Sequence, residues 1–190
     1  MGSREALFAA LLAALLVSVP ARAEPSKTDP FGPRQSASLS FFSFFGPGLT
    51  VEHETYVRPP WLSFVSGLGF RTTGGADFTT LTLTPSLEGR VWLGNIGPWR
   101  GKDQRMTGLL LALREDVAWT VVEDEAQKRL AGTAVELSET VSLGYRFLIW
   151  RVHITPLLGA ALTTQLDPRG RLAPTTFLSG KLAVTFGIML

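Results

Sequence analysis

The chain has 190 residues, with 18 Lys and Arg against 16 Asp and Glu, a formal net charge of +2 and no cysteine. This near-balance argues against a nucleic-acid module built on a basic stripe or arm. The lack of thiols excludes disulfide staples, cysteine-ligated metal sites and a lipid-modified amino-terminal cysteine.

Arg4 precedes an apolar run from Ala6 to Val19, and Ala21-Arg22-Ala23 follows as a small-x-small site. Residues 1–23 read as a secretory signal peptide cleaved before Glu24. The apolar run is shorter than a membrane-spanning helix prefers, and an uncleaved anchor is the alternative. Cleavage removes Arg4, Arg22 and Glu5, leaving 167 residues with net charge +1, the size of one domain. Residues 24–37 carry prolines, a glycine and mixed charges and read as a short flexible periplasmic leader.

From residue 38 to 190 the chain divides into alternating segments. Ser38–Phe45 is the first candidate strand, although Phe41, Phe42, Phe44 and Phe45 fall on both faces, and an amphipathic lead-in helix is the alternative. It ends at a Gly46-Pro47-Gly48 turn signal. Leu49–Val57 places Glu52 and Glu54 on its polar face, and Trp61–Arg71 places Gly67 and Gly69 there. Thr80–Trp92 sets Leu81, Leu83, Leu87 and Val91 against Thr82, Ser86, Glu88 and Arg90, a period of two that no helix explains. Leu109–Val121, Val135–Phe147 and Trp150–Gln165 repeat the pattern, with a tight turn expected over Leu148–Trp150. In the last segment Leu182, Val184, Phe186, Ile188 and Leu190 alternate with Lys181, Ala183, Thr185, Gly187 and Met189.

These segments predict an all-β fold, a closed antiparallel up-and-down β-barrel of about eight strands. Alternation alone does not say which face points inward, and a soluble periplasmic barrel or sandwich would turn the apolar face to the core. Three features favour a transmembrane barrel. The segments are longer than ordinary strands and suit a tilted crossing of a bilayer. Their polar faces are rich in small residues, as a narrow eight-stranded lumen requires. Those faces also carry mid-strand charges of both signs, which suits an interior network. Counting back from a periplasmic carboxyl end makes 58–60, 94–105 and 148–150 periplasmic, and 72–77, 123–131 and 167–170 external. Tyr56, Trp61, Trp92, Trp99, Tyr145, Phe147, Trp150 and Phe186 then gather near the inner interface, like an aromatic girdle, with packing in a core as the alternative for some of them, since Trp61 and Trp92 have the wrong parity for lipid.

Eleven titratable residues have lumen parity: Glu52, Glu54, Glu88, Arg90, Arg114, Asp116, Glu136, Arg146, Arg151, His153 and Lys181. Buried charges persist when they are paired and hydrogen-bonded, so the set reads as a salt-bridged plug, with a narrow conductance path as the alternative. Glu115 and Glu139 fall in lipid-facing series, and a hairpin centred near residue 127 sets them side by side. Like charges opposite one another on that face are unfavourable. A bulge or phase change is therefore expected to turn at least one inward, with a different strand register as the alternative.

Enzyme signatures are weak. The two histidines, His53 and His153, cannot build a multi-histidine metal site, and no cofactor motif is present. His153 with Thr155 and a distant Glu136 faintly resembles the His-x-Ser and Glu arrangement of outer-membrane lipid A deacylases, with Thr in place of Ser and unmatched surroundings. No catalytic residue, metal or cofactor is assigned.

Over residues 38–190 the chain resembles small bacterial outer-membrane barrels of the OmpA, OmpX and OmpW type, in architecture more than in any one member. The resemblance rests on the signal peptide, the even strand number and the terminal strand. It departs from the usual final aromatic residue by ending on Leu190, with Phe186 four positions earlier. It implies a Gram-negative outer-membrane location, contact with outer-membrane lipid, and recognition of Leu182, Val184, Phe186, Ile188 and Leu190 by the barrel-assembly machinery. The expected function is a non-enzymatic structural or interaction barrel with a closed, charge-networked lumen. A narrow porin-like channel or small-molecule carrier is the alternative, and a lipid A-modifying enzyme a further one.

Overall fold

The computed structural model describes residues 35–43, 46–58, 61–74, 78–93, 107–124, 129–167 and 173–190. Eight strands, β1 (Gln35–Ser43), β2 (Gly46–Arg58), β3 (Leu62–Gly74), β4 (Phe78–Trp92), β5 (Gly108–Asp124), β6 (Arg129–Ile149), β7 (Val152–Leu166) and β8 (Thr175–Met189), form one closed barrel in chain order. All neighbours pair antiparallel, and β1 joins β8 from Ser36–Met189 to Phe41–Val184, which closes the barrel, while Thr175–Ala183 of β8 extend beyond that ladder and pair with β7. The expected signal peptide, Phe44, Phe45 and Trp99 lie outside the described residues.

The first segment is a strand and begins at Gln35, ahead of the expected Ser38. Its ladder to both β2 and β8 satisfies backbone groups that a lead-in helix would have left unpaired on the two flanking strands. Gly46-Pro47-Gly48 opens β2 instead of forming the turn, since Ser43 already pairs with Gly46. The segment read as an external loop over 123–131 is mostly ladder: Glu123 and Asp124 pair with Leu130 and Arg129. Polarity there marks where the apolar wall ends, whereas hydrogen bonding carries the strands farther. The β6–β7 turn is centred on Trp150 and Arg151, one residue beyond the expected Leu148–Trp150 span, and Trp150 adopts a positive φ of 59°.

Side-chain alternation sorts the wall into two surfaces. Leu81, Leu83, Leu87, Leu111, Leu113, Val117, Leu137, Val141, Leu143 and Leu158 project outward, as do Leu182, Phe186, Ile188 and Leu190 of the terminal strand. Thr82, Ser86, Glu88 and Arg90 of β4 and Thr140, Ser142 and Arg146 of β6 are buried inside. The apolar series therefore faces away from the interior, because the opposite series carries the small and hydrogen-bonding side chains that fit a narrow lumen.

The aromatic residues divide between the two surfaces. Tyr145, Phe147, Trp150 and Phe186 are exposed on the outside, whereas Tyr56 and Trp92 are buried inside at the end of the barrel where Gln35 and Met189 lie. That end, called the base here, is filled by Tyr56, Trp92, Leu110 and Met189. Tyr56 shares the parity of Glu52 and Glu54, so it packs the base and takes no part in an outer girdle.

Glu115 and Glu139 are cross-strand partners, yet neither turns inward. The one irregularity of the β5–β6 ladder falls between Val122 and Glu123, too far along to change their phase. An unbroken ladder fixes both carboxylates on the outer wall.

Candidate functional site

Above the aromatic base, β2 and β4 supply successive inward residues, Glu54 then Glu52 and Arg90 then Glu88, because every second residue returns to the same face. β5 adds Arg114 and Asp116, β6 adds Arg146 and β8 adds Lys181. These eight side chains join into one chain of ion pairs. Lys181 Nζ contacts Asp116 at 2.8 Å, and Arg114 bridges Asp116 at 2.7 Å to Glu52 at 2.7 Å and Glu88 at 3.5 Å. Arg90 bonds Glu88 through Nε and reaches Glu52 at 3.5 Å and Glu54 at 3.0 Å. Arg146 closes the series on Glu54 at 2.7 Å.

Four cations meet four carboxylates, so the chain is neutral as a unit. That balance is the condition under which such groups tolerate a lumen shut off from water. Hydroxyls add further bonds to the chain. Glu54 is fully buried and accepts from Ser63 Oγ at 2.6 Å and Ser36 Oγ at 3.2 Å. Ser86 Oγ accepts from Arg114 at 3.0 Å, and Lys181 Nζ also donates to Thr140 Oγ1 at 3.3 Å. Trp92 ties base to chain: its Nε1 donates to Ser63 Oγ at 2.9 Å, and the Arg146 guanidinium lies 4.9 Å from the centre of its ring.

Of the eleven titratable residues with lumen parity, three stand apart from this chain of ion pairs: Glu136, Arg151 and His153. Glu136 lies nearer the opposite end, the mouth, where its carboxylate accepts from Gln165 Nε2 at 2.8 Å. Arg151 occupies the β6–β7 turn and is exposed below the base, because a two-residue hairpin takes Trp150 and Arg151 as its central residues. His153 is fully buried beside Thr155, whose Oγ1 accepts from Arg146 Nε at 2.9 Å. His153 sits near the base and Glu136 near the mouth, so the structure does not gather His153, Thr155 and Glu136 into one constellation.

Room for His153 comes from Gly187 of β8: a Cβ there would overlap His153 Nε2 and lie 2.6 Å from the Ala37 carbonyl oxygen. Gly67 does the same for the chain of charges, since a Cβ there would lie 2.5 Å from Ser86 Oγ. Sequence reasoning did not assign Ser36, Ser63 or Thr155 to the network, and it offered core packing for the aromatic residues only as an alternative to a girdle. Parity alone carried that signal, as Ser36, Ser63, Tyr56, Trp92 and Thr155 all share a face with the charged residues.

Toward the mouth the interior opens into a cavity of about 440 Å³. Its floor is Arg114, Asp116 and Lys181, and its walls carry hydroxyls such as Thr82, Thr84, Ser138 and Thr163. The lumen is thus a cup, sealed toward the base. Among the described residues no group of three or more His, Asp or Glu is placed to hold a metal ion.

No family model and no curated protein matches the chain. Among solved structures it is similar to the crystal structure of Neisserial surface protein A, at 10% sequence identity over 83% of this chain and 95% of that chain, with a TM-score of 0.42. At that distance the likeness carries no argument about this chain, and the barrel stands on its own strand pairing.

Proposed function

We propose that the protein is a barrel of the bacterial outer membrane, non-enzymatic, with a closed lumen and a structural or interaction role. The observation that carries this reading is the conjunction of an outward apolar wall with an inward neutral ion-pair chain. A wall of leucines, valines and aromatic rings is stable where its surroundings are apolar, and a closed barrel leaves no unpaired backbone to meet lipid. The interior supports a plug. Arg90, Arg146, Trp92, Leu110 and Met189 are all 0 or 1 % exposed, so the described residues pack the base without a wet path through it. In this reading the wall contacts outer-membrane lipid, and the barrel-assembly machinery reads the outward series of β8.

The test has two parts. Outer-membrane fractions run unboiled and boiled on a gel should show a heat-dependent mobility shift, as a folded barrel does. Purified protein in planar bilayers should then give no channel openings. Recovery from the soluble periplasm would overturn the membrane reading, and steady openings altered by Arg114→Ala or Glu136→Ala would replace the plug by the narrow channel.

A further inference from the structure

The cup at the mouth has a chemistry of its own, and it belongs to the interior whatever the outer wall faces. Although the ion-pair chain is neutral, its members do not present themselves equally at the floor. Lys181 and Arg114 have side chains 22 % and 14 % exposed, against 8 % for Asp116, 3 % for Glu88 and 1 % for Glu52. Arg114 and Lys181 line the cavity together with Asp116, whereas Glu52 and Glu88 do not, so the floor carries two cations against one carboxylate and favours an anion. The walls offer hydroxyls that both donate and accept, and the Glu136–Gln165 pair adds a carboxylate and an amide oriented by each other near the mouth. Phe177, on the inward series of β8 above Ser179 and Lys181, gives one apolar ring surface at the opening.

We propose that this cup binds a small sugar acid of one ring, its carboxylate on Lys181 and Arg114, its hydroxyls on the wall threonines and serines, and one ring face against Phe177. A cavity of about 440 Å³ suits such a ligand and lies in the ordinary range for small-molecule sites. The arrangement discriminates by chemistry. A neutral hexose would leave the cationic floor unused, and a small aliphatic acid would leave the walls unused.

Isothermal titration of the detergent-folded protein, its fold checked first by the heat-dependent gel shift, uses glucuronate as the probe with glucose and acetate as controls. Glucuronate should bind at one site; glucose, which lacks the charge-assisted bond, should bind about tenfold more weakly or worse, and acetate, which lacks the wall hydrogen bonds and the ring contact, more weakly as well. Ala118→Trp fills the cup from an uncharged lining position and should abolish binding while leaving the ion-pair chain and the gel shift intact. Lys181→Met should weaken glucuronate about tenfold and leave glucose unchanged. Should Lys181→Met fail to fold, the contrast between glucuronate and glucose on the wild-type protein decides the same point. Absence of saturable glucuronate binding, equal binding of glucose, or binding that survives Ala118→Trp would overturn the proposal. None of these outcomes bears on whether the wall faces lipid, which fractionation decides separately.

Discussion

Glu115 and Glu139 face each other across β5 and β6 on the outside of the barrel, flanked along the same row by Leu87 on β4 and Leu162 on β7. Two carboxylates in a leucine belt, each the other's nearest cross-strand neighbour, are unfavourable both to each other and to an apolar solvent. Replacing both with leucine should therefore stabilise the barrel in lipid by about 1–2 kcal/mol. Urea unfolding from liposomes measures it, and an unchanged or lower midpoint would mean that something meets these carboxylates in the membrane. The pairing itself is checked by cysteines at 115 and 139, which directly opposed strand positions allow to bond. Oxidation should link them in the folded, unboiled protein.

Glu54 is the hub at the base, taking Arg90, Arg146, Ser36 and Ser63 on its two oxygens. Truncation by Glu54→Ala removes Arg146's carboxylate partner in a fully buried place. The expected cost is about 3–5 kcal/mol, as for breaking a buried pair from one side. Equilibrium unfolding in detergent should show the loss. The same truncation at Glu136, which stands near the mouth, should cost well under about 1 kcal/mol.

Gly187→Ala puts a methyl group onto His153 Nε2 and 2.6 Å from the Ala37 carbonyl oxygen. The His153 contact can be relieved by moving a ring, whereas the Ala37 carbonyl and Ser38 Cβ, 2.5 Å away, belong to the closing strand pair. Destabilisation of about 1–3 kcal/mol is expected from overpacking. Adding His153→Ala should restore part of the loss and leave the part that comes from Ala37 and Ser38, which a double-mutant cycle in thermal unfolding separates.

Trp150 sits at φ 59° in the β6–β7 turn, and the residue is 87 % exposed. A bulky L-residue in that conformation costs about 1–2 kcal/mol, and asparagine tolerates it far better. Trp150→Asn should raise the unfolding midpoint in detergent. The gain should shrink in liposomes, where an aromatic ring at the interface contributes anchoring. A lower midpoint in detergent would show that the ring packs on its neighbours more than its exposure implies.

What the sequence by itself determined about this protein is its periodicity and all that follows from a period of two. The alternation of β4 separates Thr82, Ser86, Glu88 and Arg90 from Leu81, Leu83 and Leu87, and mirror arithmetic about residue 127 sets Glu115 opposite Glu139 from their positions in the chain alone. Strand number, terminal-strand pattern and the pool of interior charges, Arg151 excepted, were legible for the same reason: parity is a local property of the chain. Only the tertiary structure decided which of those charges meet. Glu54 and Arg146 are far apart in sequence and 2.7 Å apart in space, because β2 and β6 stand on opposite sides of the closed wall while the lumen between them is narrow. Arg151 lies outside the network of Arg146, because the hairpin reverses at that residue. Parity says which face a side chain takes, but its height in the barrel depends on register, tilt and the position of each turn. Those belong to the closed ladder as a whole. The neutral chain, the sealed base and the open cup above it are consequences of height, so they emerged only when all eight strands were joined.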